Sequence, residues 1–138
     1  MAELYVVRSE LEGLAARLAA RHATIEEKRV LQDMVKDDYK IVDDPSALSR
    51  ANRRFHKQIH LASHNRFLVQ QLDLVHRSMA LMATTSLAAD GRGEVALAEH
   101  QEIVDAIMHG HEEKADECLG QHISIAFSTR LKLLAESD

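Results

Sequence analysis

Apolar residues recur along this chain at three- and four-residue steps and nowhere in strict alternation. Leu4, Val7, Leu11, Leu14 and Leu18 form the first such series, and Phe67, Leu68, Leu72, Val75, Met79 and Met82 form another. A repeat near 3.6 gathers these residues on one face of a helix, whereas a strand needs a period of two. Only 5 Gly and 1 Pro interrupt the 138 residues, so little opposes helix along most of the chain. The expectation is an all-α fold: an antiparallel bundle of six, or with a kink seven, helices. Residues 1–138 read as a single domain, since no repeat, low-complexity stretch or internal boundary divides them.

Punctuation places the elements. The first helix starts almost at the N-terminus and runs to about Ala23, the way an excised domain begins. Thr24-Ile25-Glu26-Glu27 has the spacing of a capping box and opens a second helix that ends near Ile41 or Val42. Asp44-Pro45 starts a third, reaching Ser63, with Asn65 as a left-handed C-terminal cap. The fourth helix decays around Leu87. Ala89-Asp90-Gly91-Arg92-Gly93 reads as the most flexible loop. A fifth helix runs from about Glu94 to His109 with Gly110 as its cap, and a sixth from His111 or Glu112 to about Ala135.

Charge and composition remove several classes of function. With 17 Lys+Arg against 22 Asp+Glu, the formal net charge is −5, which argues against a nucleic-acid surface on this chain itself. Cys118 is the single cysteine, so no internal disulfide forms, in keeping with a reducing compartment. No apolar run approaches the roughly 20 residues that span a bilayer. The first residues lack the basic start and apolar stretch of a signal peptide. A cytoplasmic chain without membrane contact is expected.

Histidine is abundant, with 9 residues, and three of them share an unusual setting. Asn52 and His56 are four apart and project from one helical face beside Phe55 and Ile59. His100 shares its face with Ile103, Val104 and Ile107, and His122 lies among Leu119, Ile123 and Ala126. Each histidine taken singly is accounted for as a core residue satisfied by a hydrogen bond. Together they place four polar groups on the apolar stripes of three helices, where burial without partners costs free energy. A metal ion removes that cost by giving each a ligand bond. Three imidazoles and an amide oxygen suit Zn²⁺, with Ni²⁺, Mn²⁺ and Fe²⁺ as alternatives. The remaining histidines have plainer readings: His22, His109 and His111 at helix ends, His60 as a core residue or a group behind His56, and His64 and His76 at the surface.

Two arginines are candidates for binding a ligand. Arg8 sits near the inner stripe of the first helix, and Glu12, one turn on, is placed to orient it. Arg77 lies in the middle of the fourth helix. A guanidinium matches a carboxylate bidentately, although either residue also fits a snorkelling surface arginine.

Four segments carry a family resemblance. Tyr5, Arg8, Leu11-Glu12, Ala15-Ala16 and Ala19 follow the pattern Tyr-x-x-Arg-x-x-Leu-Glu-x-x-Ala-Ala-x-x-Ala; Asn52-Arg53-Arg54-Phe55-His56 is similar to Asp-x-x-Phe-His. Glu99-His100-Gln101-Glu102-Ile103 with Ala106-Ile107, and Ala115 with His122-Ile123, complete the set. In order and separation these resemble the FCD effector domain of GntR-type bacterial transcription regulators, across the whole chain. The resemblance implies an antiparallel six- or seven-helix bundle around a central polar cavity that bears a metal. It carries the metal ligands over as Asn52, His56, His100 and His122. Asn52 departs from the more frequent Asp, and its amide leaves the site more positive. The resemblance further implies a small organic or sugar acid as effector, Arg8 facing the cavity, and a homodimer. The winged helix-turn-helix that the family places before this domain is absent from the chain, so DNA would be reached only through an attached domain.

Three functions follow for test. The first is a ligand-sensing effector domain that binds a divalent metal and a small carboxylate and acts on an attached DNA-binding domain. The second is a metal-dependent hydrolase-like helical enzyme, with Glu99 or Glu102 as the available base. The third is a metal-free helical interaction module.

Overall fold

The computed structural model describes residues 2–80, 87, 89 and 91–136. Among these residues the chain forms α1 (Ala2–His22), α2 (Ile25–Asp38), a 3-10 turn (Tyr39–Ile41), α3 (Pro45–Ala62), α4 (Arg66–Met79), α5 (Arg92–Met108) and α6 (Glu112–Glu136). The described residues contain no strand. The result is a helical bundle, as the apolar periodicity requires.

The starts of three helices are explained by local chemistry. Thr24 and Glu27 form the reciprocal capping box: the Glu27 amide donates to Thr24 Oγ1 at 3.1 Å and the Thr24 amide to Glu27 Oε1 at 2.8 Å. Asp44 Oδ1 accepts from the Ala47 amide at 3.1 Å ahead of Pro45. Asn65 differs from expectation. It does not close α3 in a left-handed conformation; His64 carries the positive φ of 55° instead. Asn65 is the N-cap of α4, its side chain accepting from the Leu68 amide at 3.0 Å. An asparagine serves either end of a helix, and with α4 starting at Arg66 the start claims it.

The packing centre is α1, which lies most extensively along α6 and also meets α3, α4 and α5. Its buried face differs from the leucine series. Val7 and Leu14 are exposed, and the face turned inward carries Tyr5, Arg8, Glu12, Ala15, Ala16 and Ala19. The alanines let neighbouring helices approach closely, and Gly13 does the same at Asp116 of α6, whose side chain a Cβ would strike. Below them Phe55, Ile59, Leu72, Ile103, Ile107, Leu119 and Ile123 fill the main core.

A second, smaller core gathers Leu48, Leu87, Ala96 and Leu97. It explains why α5 starts two residues before Glu94. Gly91, at φ +70°, turns the chain, and Arg92 and Gly93 are already buried, with Gly93 against Leu48 and Val42. Asp90 in the expected loop, and Met82 in the expected fourth helix, lie outside the described residues.

Candidate functional site

Five helices send polar side chains into the bundle interior. His56 and His60 come from α3, His100 from α5, His122 from α6, His76 from α4, and Arg8 and Glu12 from α1. His56, His60 and His100 are at most 2 % exposed.

His56, His100 and His122 each offer a ligand atom, and these three atoms lie within 4.8 Å of one another. His100 Nε2 and His122 Nε2 are 3.3 Å apart. That is about the edge of a tetrahedron with metal–nitrogen bonds of ~2.0–2.1 Å. Ring orientation is fixed from outside the group. Phe55 stacks on His100 with centroids 4.2 Å apart. His122 Nδ1 meets Glu99 Oε1 at 2.7 Å, and Arg92 Nη1 meets the same oxygen at 2.8 Å. A carboxylate on Nδ1 selects the tautomer whose Nε2 lone pair faces inward.

Burial sets the protonation of these rings. It pushes His56 down to about 3, with the Glu12 carboxylate opposing. Burial, reinforced by His122, holds His100 well below the usual histidine range. Burial also lowers His122, although Glu99 works the other way. All three are therefore neutral at neutral pH, the form in which imidazole ligates a metal. His56 Nε2 is buried with no hydrogen-bond partner among the described residues. An orphaned imidazole nitrogen of this kind fits a cation that takes its lone pair.

A second group adjoins the first. Glu12, fully buried on α1, has its Oε2 2.8 Å from His56 Nδ1, off the line of a hydrogen bond. Its Oε1 contacts His60 Nε2 and lies 3.5 Å from His76 Nε2. Burial works against this carboxylate, yet the His56, His60 and His76 imidazoles hold it well below the usual carboxylate range. Arg8 Nη2 stands 3.7 Å from Oε2.

The residues singled out from the sequence distribute as follows. His56, His100 and His122 come together. Asn52 is half-buried one turn before His56 on α3. Arg8 is buried, with its guanidinium 5.7 Å from the Tyr5 ring centroid. Arg77 is exposed on α4, and its neighbour His76 is the residue that reaches inward. His76 was expected at the surface, yet its position one turn beyond Leu72 on the α4 stripe points it in. Arg92 is buried in the first turn of α5 and not in a loop, although the glycines on either side resemble loop punctuation. Glu12 and His60, each one turn from a candidate in the sequence, both reach the interior. No helix among the described residues is long and apolar enough to cross a membrane.

Comparison with known proteins agrees with this architecture. Residues 3–124 match the family described as the FCD domain. The chain is 28% identical over 129 residues to the uncharacterized HTH-type transcriptional regulator YdhC of Bacillus subtilis (strain 168), covering 91% of this chain and 56% of that protein. It is 30% identical over 129 residues to a probable D-xylose utilization operon transcriptional repressor of Paenarthrobacter nicotinovorans, covering 90% of this chain and 55% of that one. The chain thus spans little more than half the length of these relatives. Among solved structures, E. coli McbR/YncC superposes with a TM-score of 0.83 at 16% identity, over 96% of this chain and 65% of that one, which shows a shared fold.

Proposed function

The chain belongs to the FCD domain family, and from that membership we propose that it is the effector-sensing part of a GntR-type transcription regulator. His56, His100 and His122, with Asn52 as a fourth ligand, hold a divalent transition metal, Zn²⁺ before Ni²⁺, Mn²⁺ or Fe²⁺. A small organic or sugar acid is the effector. The metal supplies positive charge for its carboxylate, and Arg8 supplies a fork of donors beside it. Arg77, being exposed, takes no part.

One observation carries this reading: three neutral, buried imidazoles from three helices converge within 4.8 Å. Burying one histidine needs only a hydrogen bond. Three neutral rings brought together, with the His56 Nε2 left unpartnered, support an ion that accepts their lone pairs. The relatives' names add the direction of use, since both are described as transcriptional regulators. The chain then works as a cytoplasmic homodimer, and the effector shifts a two-state equilibrium in the spacing of attached DNA-binding domains. The net charge of −5 leaves DNA contact to that attached domain.

The test is metal content of the purified chain by inductively coupled plasma mass spectrometry, followed by calorimetry with a panel of organic and sugar acids, with and without metal. Bound transition metal that is lost in His100→Ala, together with a metal-dependent carboxylate affinity, supports the reading. Carboxylate affinity unchanged by metal removal rejects it.

A further inference from the structure

Glu12, His60 and His76 form a second ligand group that the sensing role above does not use. Their three ligand atoms also lie within 4.8 Å of one another, and they come from α1, α3 and α4 rather than α3, α5 and α6. We propose that these residues are a second divalent transition-metal site, distinct from the three-histidine group and joined to it through the Glu12 carboxylate.

Ligand chemistry is the first argument. Two imidazoles and one carboxylate are a common zinc donor set, with a remaining position open to water or an anion. Glu12 and His60 are fully enclosed, whereas the His76 side chain is 22% exposed, so this edge of the group borders solvent.

Geometry is the second. His76 Nε2 stands 3.5 Å from Glu12 Oε1, yet it is buried with no hydrogen-bond partner among the described residues. The separation is long for a hydrogen bond but close to the spacing of two ligands on one ion, about 3.3 Å for metal bonds near 2.0–2.1 Å. The rings of His60 and His76 stand edge to face at 5.1 Å between centroids, so they approach the carboxylate from different sides.

Charge is the third. A fully buried carboxylate needs compensation. Arg8 approaches Oε2 at 3.7 Å, and among the described residues Oε1 is paired only with imidazoles. A dication at Oε1 provides the missing charge. Glu12 then faces both groups: Oε1 as ligand of the second ion and Oε2 as the oxygen beside His56 Nδ1, 2.8 Å away. Filling one site alters the orienting carboxylate of the other, so the two occupancies are linked.

The experiment is metal stoichiometry of the whole chain. Metal-free protein is dialysed to equilibrium against Zn²⁺ and the bound ion counted, with Co²⁺ absorption as a second readout of ligand field. His76→Ala and His100→Ala are compared with the unaltered chain, each checked for helical circular dichroism; His76→Gln serves should the alanine variant not fold. The expected result is about two ions in the unaltered chain and about one in each variant. Equal occupancy in the unaltered chain and in both His76 variants overturns the second site. Loss of all metal in His100→Ala overturns it too, because the second site then binds nothing by itself. A single ion lost in His76→Ala but kept in His100→Ala supports this site and rejects the three-histidine one.

Discussion

His122 Nδ1 lies 2.7 Å from Glu99 Oε1, and the next residue of α5, His100, turns its own Nε2 to within 3.3 Å of His122 Nε2. Glu99 and His100 are sequence neighbours with different tasks: the carboxylate fixes the ring of another helix, and the imidazole meets that ring. Arg92, buried at the start of α5, holds Glu99 from behind. Burial pushes the Glu99 carboxyl up, and His122 and Arg92 outweigh it, so the group stays ionised.

Glu99→Gln therefore keeps the side chain's size and removes its charge. Loss of a carboxylate that orients a metal-bound histidine lowers metal affinity by about 10–100-fold. Competition against a chromophoric chelator reads that change directly. Affinity within a factor of two of the unaltered chain would show that Glu99 does not orient a ligand.

Metal should stabilise the folded chain. An ion that binds only the folded state adds about 2.7 kcal/mol when present at 100 times its dissociation constant. Thermal unfolding followed at 222 nm with Zn²⁺ and with chelator should separate clearly, and His100→Ala should shrink the difference. A melt insensitive to both additions would favour a metal-free interaction module instead.

Acid should destabilise the metal-free chain. The folded state holds His56 near 3, and His100 and His122 are lowered too, whereas unfolded histidines take up protons near 6.5. Below the unfolded value the unfolded chain binds more protons, so stability falls as pH falls, and His56 continues to contribute down to about 3. Each such group contributes up to about 1.4 kcal/mol per pH unit inside its window. Urea midpoints measured from pH 7 to pH 5 should decline, and His56→Gln should flatten the slope. A midpoint constant over that range would mean the rings are not held neutral.

These residues also show what a sequence can reveal of such a fold. Helix number follows from apolar spacing and the Thr24–Glu27 and Asp44–Pro45 signals, because capping is a local interaction. That His56, His100 and His122 share an interior is legible because each sits on an apolar stripe. Glu12 was legible only as a partner for Arg8. Leu11 beside it draws the eye to the leucine series, while the helix turns its alanine face inward and carries Glu12 with it. Arg92 meets Glu99 two turns further along α5, a same-face spacing hidden because the glycines on either side of Arg92 place it in a loop. His76 and Arg77 are adjacent, so a rotation of α4 by one residue exchanges which of them enters.

Arg8 separates effector binding from metal binding. It is buried at 8% exposure, its nearest acidic oxygen is 3.7 Å away, and its Nε has no hydrogen-bond partner among the described residues. A guanidinium desolvated and left with spare donors is prepared for an anion that arrives later. Arg8→Lys keeps the charge that faces Glu12 and removes the planar fork. Hydrogen bonds to charged groups contribute about 1.5–3 kcal/mol, so carboxylate affinity should fall roughly tenfold to a hundredfold. Metal content should stay unchanged, since lysine leaves the three histidines and Glu99 in place. Calorimetry with an acid found by the panel, alongside mass-spectrometric metal counts, tests both halves together. Full carboxylate affinity in Arg8→Lys would place the effector elsewhere in the bundle, and a parallel loss of metal would make Arg8 a support of the metal centre rather than a contact to the effector.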